Sequence, residues 1–177
     1  PCQQTKLFAK SNSAKMPSGG VKMQLLAGID APQFQLADAD MGTFSLAVQR
    51  GKKNIVLYFY PKDDTPGCTV EGADFRDRYA AFRAADAEVV GVSRDSLKSH
   101  EGFRAKMKFP FELLSDAEEE LCAQFGVIRM KNMYGKKVRG IERSTFVIDR
   151  AGVLRREWRG VKVPSHAQEV LDFVKTL

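Results

Sequence analysis

Residues 54–60 read NIVLYFY, an apolar run of β-branched, aliphatic and aromatic side chains closed by Pro61. A strand with one wet face alternates polar and apolar residues; a run without alternation is buried on both faces. This segment therefore needs a layer above it and a layer below, which makes it the central strand of a covered sheet. A second run of the same kind, EVVGVS at 88–93, follows after a helical stretch. That stretch extends from Cys68 to about Ala85, with Phe75, Tyr79 and Phe82 at i, i+4 and i+7.

The remaining patterns fit around these two strands. Phe34 and Leu36 alternate with polar residues, turn chemistry follows from Asp38 to Gly42, and apolar residues return at Phe44 and Leu46, which predicts a β-hairpin. Asp95 or Ser96 can cap a helix running to about Lys106. A short strand is expected over 111–114. A helix follows over 116–125, its acids Asp116, Glu118, Glu119 and Glu120 matching the positive end of the dipole. Strands over 144–148 and 154–158 flank the turn DRAG, and Pro164 opens a last helix to about Thr176. The expected fold is α/β, a mixed central β-sheet flanked by helices with an N-terminal β-hairpin. One domain over residues 25–177 is expected, preceded by a basic tail or added extension over residues 1–24, with Met16 or Met23 as possible starts.

Charge excludes less than it first suggests. The 177 residues carry a net charge of +6, but residues 1–29 hold Lys6, Lys10, Lys15 and Lys22 with no acid. The rest is near neutral, so no specific nucleic-acid partner is expected. No apolar stretch is long enough for a transmembrane helix or a secretion signal, so no membrane partner is expected either. Three cysteines, Cys2, Cys68 and Cys122, lack the spacing of a disulfide framework. A reducing, cytoplasmic setting is the expectation, in which a lone cysteine is either core filler or a reactive thiol.

Cys68 has the setting of a reactive thiol. It opens a helix directly after a buried strand and the short loop KDDTPG. Free backbone N–H groups and the positive end of the helix dipole there stabilise a thiolate. Its helical face continues through Gly72, Phe75, Tyr79 and Phe82, so the thiol looks inward. Core filler is the usual fate of a free cysteine, but it does not need Pro61, Thr65, Pro66 and Gly67 around it.

The segment PKDDTPGCT, carrying Pro61, Thr65 and Cys68, resembles the active-site signature of the peroxiredoxins. TPGCTVE followed by FRD is similar to the bacterioferritin-comigratory-protein (PrxQ) branch, and the likeness continues through LLSD, FGV and RSTFVID. It spans about residues 25–177 and implies a thioredoxin-like fold. It also implies a peroxidase in which Cys68 attacks a peroxide oxygen. Thr65 offers its hydroxyl to thiolate and peroxide, Arg143 supplies a forked permanent cation, and Pro61 shields the sulfur. Glu71, one turn beyond Cys68, would accept from Arg143 and orient it.

The chain departs from the branch at the position five residues after Cys68, where a resolving cysteine is usual and Ala73 stands here. Cys122 is expected in the core and Cys2 in the tail. The reading is a one-cysteine mechanism: Cys68 becomes a sulfenic acid reduced by an external thiol such as thioredoxin, glutaredoxin or glutathione. No cofactor and no metal centre are expected, since His100 and His166 stand isolated from each other and from any cysteine. The partners are then a peroxide and a thiol reductant, acting on a monomer or weak dimer. The competing reading is a non-enzymatic thioredoxin-like binding or holdase module. Its partner site would be the basic segment RMKNMYGKKVR, read as an exposed loop.

Overall fold

The computed structural model describes residues 27–40 and 42–177; the expected tail over 1–24, with Cys2, lies outside them. A short hairpin of β1 (Gln35–Ala37) and β2 (Thr43–Ser45) leads into the single turn α1 (Leu46–Gln49). The NIVLYFY run forms β3 (Asn54–Phe59), every residue of which is buried. Two helices follow, α2 (Pro66–Asp77) and α3 (Tyr79–Ala84), then β4 (Ala87–Ser93). The helix α4 (Leu97–Met107) starts at Ser96, whose hydroxyl accepts from the Ser99 N–H. After β5 (Glu112–Ser115) and α5 (Glu120–Gln124) come β6 (Ile128–Met133) and β7 (Lys136–Ile141). The chain closes with β8 (Ser144–Ile148), β9 (Leu154–Arg159) and α6 (His166–Val174).

The main sheet has the order β5-β4-β3-β8-β9, with β3 and β5 parallel to β4, and β8 antiparallel to both β3 and β9. This is the expected mixed sheet. Alternation along β3 sends Val56, Tyr58 and the following Tyr60 to one side, where α2, α3, α4 and α6 pack with Phe75, Phe82, Phe103 and Val170. Ile55, Leu57 and Phe59 go to the other side, against the β1–β2 hairpin and α5. Tyr58 stacks on Phe75 at 4.7 Å between ring centroids, fixing α2 against the strand. Gly72 lets α2 approach closely, since a Cβ there would sit 2.4 Å from Phe109.

Three expectations need correction. The single helix over 68–85 begins two residues earlier, at Pro66, and divides at Arg78. There the N–H takes the Phe75 carbonyl, three residues back instead of four. The helix expected over 116–125 is one short turn, because Asp116 spends its carboxylate on the N–H groups of Leu121 and Cys122. The segment over 129–139 is a two-stranded antiparallel ribbon and not a loop. Tyr134 and Gly135, both at positive φ, supply the tight turn of a two-residue hairpin.

Candidate active site

The loop after β3 and the first turn of α2 build the site. Tyr60 still donates its N–H to Val92, but Pro61 has no N–H to give, so sheet pairing stops there. Thr65 is the N-cap, and the first backbone bond of α2 runs from the Thr69 N–H to the Thr65 carbonyl. The N–H groups of Gly67 and Cys68 therefore have no acceptor among the described residues. Cys68 is the third residue of the helix and is buried, with Gly72 and Phe75 continuing its face inward.

Arg143 meets this helix start from the sheet. It immediately precedes β8, whose Ser144 pairs with Phe59 at the end of β3. One guanidinium nitrogen, Nη2, donates to Cys68 Sγ at 3.4 Å, and Nη1 donates to Glu71 Oε1 at 2.8 Å. Gly67 makes room for it, because a Cβ there would stand 3.1 Å from Nη2. The Glu71 side chain is only 2% exposed, and its second oxygen lacks a hydrogen-bond partner among the described residues. Burial pushes its carboxyl up to about 7, with the attraction of Arg143 offsetting part of that cost.

Thr65 differs from expectation in one respect. Its hydroxyl donates to the Lys62 carbonyl at 2.8 Å, so the proton is committed to the loop and the oxygen is left as an acceptor. Cys68, Arg143 and Glu71 are thus joined by direct contacts, with Thr65 at the cap and Pro61 at the strand end. Such a site holds a sulfur beside a fixed cation and unpaired N–H donors. It is suited to displacements in which negative charge moves from sulfur to a leaving oxygen.

The sequence treats His100 as isolated, whereas the structure sets it behind the loop. His100 Nε2 donates to the Leu114 carbonyl at 2.9 Å, and Nδ1 is hydrogen-bonded to Asp63 Oδ2 at 2.7 Å. Tyr60 and Ser99 donate to the same carboxyl at 2.6 and 2.8 Å, and the Asp63 N–H donates to Asp95. Asp63, Asp95 and His100 bring metal-ligand atom types within 4.8 Å, but those atoms are engaged with one another and with neighbouring groups. The network anchors the loop after β3 to α4 and β5. Only the proximity of Asp63 to Thr65 in sequence could have pointed to it.

Two further groups bear on the site. Lys131, on β6, donates to the Ile141 carbonyl at 2.6 Å; burial and the charge of Arg143 push its ammonium down. Cys122 is buried on the far side of the sheet, with its thiol pushed up by burial and by Asp116. Among the described residues no helix is long and apolar enough to cross a membrane.

The AhpC/TSA family model matches residues 27–157. The chain is similar to peroxiredoxin Bcp of Bacillus subtilis, 46% identical over 155 residues, covering 88% of this chain and 98% of that protein. It is similar to peroxiredoxin Bcp of Xanthomonas campestris, 55% identical over 121 residues, covering 68% and 76% respectively. A solved structure of the Xanthomonas campestris bacterioferritin comigratory protein, studied for its alkyl peroxide reduction activity, superposes with a TM-score of 0.79. It is 46% identical and covers 85% of this chain and 98% of that one. A PrxQ structure from Xylella fastidiosa gives 0.82 at 42% identity, covering 86% and 97%.

Proposed function

Since the chain belongs to the AhpC/TSA family and is a thiol-dependent peroxidase of the Bcp/PrxQ kind, we propose that Cys68 is its nucleophile. The observation that carries this is the Arg143 guanidinium held by Glu71 against Cys68 Sγ.

The reaction follows from the donors present. The Cys68 thiolate attacks one oxygen of ROOH; the S–O bond forms, the O–O bond breaks, and RO⁻ leaves to be protonated by solvent. Arg143 and the N–H groups of Gly67 and Cys68 are placed to stabilise the charge as it moves across the oxygens. Thr65 accepts the peroxide O–H and so turns the attacked oxygen towards sulfur. Pro61 presents no N–H and keeps water from pairing with the strand end. Glu71 touches Arg143 and not the substrate; it is a positioning residue. Cys68 leaves as sulfenic acid. An external thiol condenses with it, releasing water and forming a mixed disulfide, and a second thiol displaces Cys68 as thiolate.

Hydrogen peroxide and organic hydroperoxides are the substrates, and thioredoxin, glutaredoxin or glutathione the reductant. The catalytic unit is the domain over residues 25–177, acting in the cytoplasm as a monomer or weak dimer. Nothing in the site supports a non-enzymatic module. The test is Cys68→Ser: a hydroxyl has almost no anion at neutral pH, so thiol-dependent peroxide consumption is abolished. Turnover retained in the purified variant would remove Cys68 from the mechanism.

A further inference from the structure

The ribbon of β6 and β7 is left unexplained by the chemistry. Its strands pair with each other in a separate two-stranded sheet, outside the main one. Tyr134 at its tip is 100% exposed, and Met130, Met133 and Val138 are 61%, 51% and 43% exposed. Large apolar side chains gathered this way on one ribbon mark a contact surface more often than scattered ones do. The ribbon is also basic: Arg129, Lys131, Lys136, Lys137 and Arg139 lie between Ile128 and Ile141, with no acid among them. Arg139 is held by Glu119 and Arg129 by Glu142, while Lys136 and Lys137 have no acidic partner among the described residues.

Pairing ties this surface to the site. Lys131 is opposite Val138 and Met133 is opposite Lys136, so these four share one face of the ribbon. Lys131, on that face, reaches back to the Ile141 carbonyl and lies within electrostatic reach of Arg143 and Cys68. The chain then leaves β7 directly into Glu142 and Arg143.

We infer that the β6–β7 ribbon is the docking surface for the protein that reduces oxidised Cys68, a dithiol reductase with an acidic rim around its attacking cysteine. The inference rests on the one-cysteine reading, in which a partner sulfur must bond to Cys68 and its protein must settle at this rim. Lys136 shares the face of Lys131, and Lys137, next in the strand, lies on the other face with Met130, so the ribbon offers an unpaired lysine to acid on each side. The length of a six-residue strand, about 20 Å, and its spread of exposed side chains suit a protein surface and not a single small thiol. The exchange is balanced by the partner alone: its first thiol forms the mixed disulfide as water leaves, and its second displaces Cys68.

The experiment compares wild type with Lys136→Glu/Lys137→Glu and with the milder Lys136→Gln/Lys137→Gln. Peroxide turnover is driven by thioredoxin, by glutaredoxin, by glutathione or by dithiothreitol, with sedimentation of each variant alongside. Expected in wild type is recycling by thioredoxin or glutaredoxin, with a KM that rises with salt. In the charge-reversed variant that KM rises at least tenfold and loses its salt dependence. The glutamine pair falls between. Turnover with dithiothreitol and single-turnover oxidation by peroxide stay within twofold of wild type in both variants. An unchanged KM overturns the inference, as does wild type that is recycled only by the small thiols. An equal loss with dithiothreitol assigns the ribbon to the site's own architecture, and a dimer dissolved by the substitutions assigns it to a second copy; either overturns the proposal. Failure of wild type to consume peroxide with any thiol would instead bring down the peroxidase mechanism itself.

Discussion

Arg143 makes two contacts that reinforce each other: Glu71 fixes its plane, and Cys68 receives its other nitrogen. Arg143→Ala removes a preorganised cation from the leaving oxygen. By analogy with loss of one oxyanion donor, the barrier rises by about 2.7–4 kcal/mol. Stopped-flow oxidation at wild-type speed would rule the role out. Glu71 gives this pair a pH dependence. Its carboxyl, lifted to about 7 by burial, is ionised above that value and grips Arg143 through a charge-assisted bond. As pH falls through 7 the carboxyl protonates and the grip weakens. Glu71→Gln imitates the protonated form at every pH. The variant and wild type should therefore oxidise Cys68 at similar rates at pH 6 and diverge at pH 8. The gap at pH 8 is about 1 kcal/mol, the difference between charged and neutral hydrogen bonds. A constant ratio across that range would show that Glu71 acts by packing alone.

The C-terminal helix α6 is pinned to the sheet through His166, whose Nε2 meets Thr145 Oγ1 at 2.8 Å while its ring lies edge-on to Phe75 and Trp158. Burial lowers its pKa to about 4 from the usual 6.5. Between those values the unfolded chain binds the extra proton, so stability is full above pH 6.5 and is lost as pH falls through 4. The loss is up to about 3 kcal/mol. Glu71 contributes with the opposite sign between 4.5 and 7, so the His166 share is the difference between wild type and His166→Phe. On going from pH 6.5 to pH 4.5 the urea midpoint of wild type should therefore fall relative to that of His166→Phe; an equal change in both would mean that the imidazole is already charged in the fold. At this scale the sequence was legible where a single local signal decided the outcome. The unalternating run of β3 announced a doubly covered strand, and the pair Asp95–Ser96, of which Ser96 is the cap, announced the start of α4. It was not legible where a competing side chain intervened, as Asp116 does at α5. The ribbon was missed because Tyr134–Gly135 is an unusual pair for a two-residue turn, and because strands exposed on both faces carry no hydrophobic period. Within the site, motif and spacing brought out Cys68, Thr65 and Arg143. The Thr65 proton goes to the Lys62 carbonyl three residues back, a loop geometry the motif does not specify, and the His100–Asp63 pair joins residues thirty-seven apart, which no local pattern encodes.

At the scale of the whole molecule, the sheet itself determines how oxidised Cys68 can be resolved. Cys68 packs with Tyr58, Phe75 and Val147 on the face covered by α2, α3, α4 and α6. Cys122 packs with Phe59, Phe125 and Phe146 on the opposite face. The five-stranded sheet lies between them. A disulfide needs Cα atoms within about 7 Å, so the two could join only if strands separated. Cys122 is also a poor nucleophile, since burial and Asp116 hold its thiol protonated. Ala73 leaves α2 without a second thiol of its own. One equivalent of peroxide should therefore add one oxygen, about 16 mass units, to Cys68 as sulfenic acid, captured by a sulfenate trap. With no covalent refuge, excess peroxide carries it on to sulfinic acid, and added small thiol diverts it to a mixed disulfide. Cys122→Ser and Cys2→Ser should leave this product distribution unchanged. Intact-mass spectrometry with peptide mapping decides the outcome. A dominant product about two mass units lighter, mapped to Cys68–Cys122 or Cys68–Cys2, would contradict one-cysteine resolution while leaving the peroxidase standing. In the Cys122 case it would further mean that the sheet opens during every turnover.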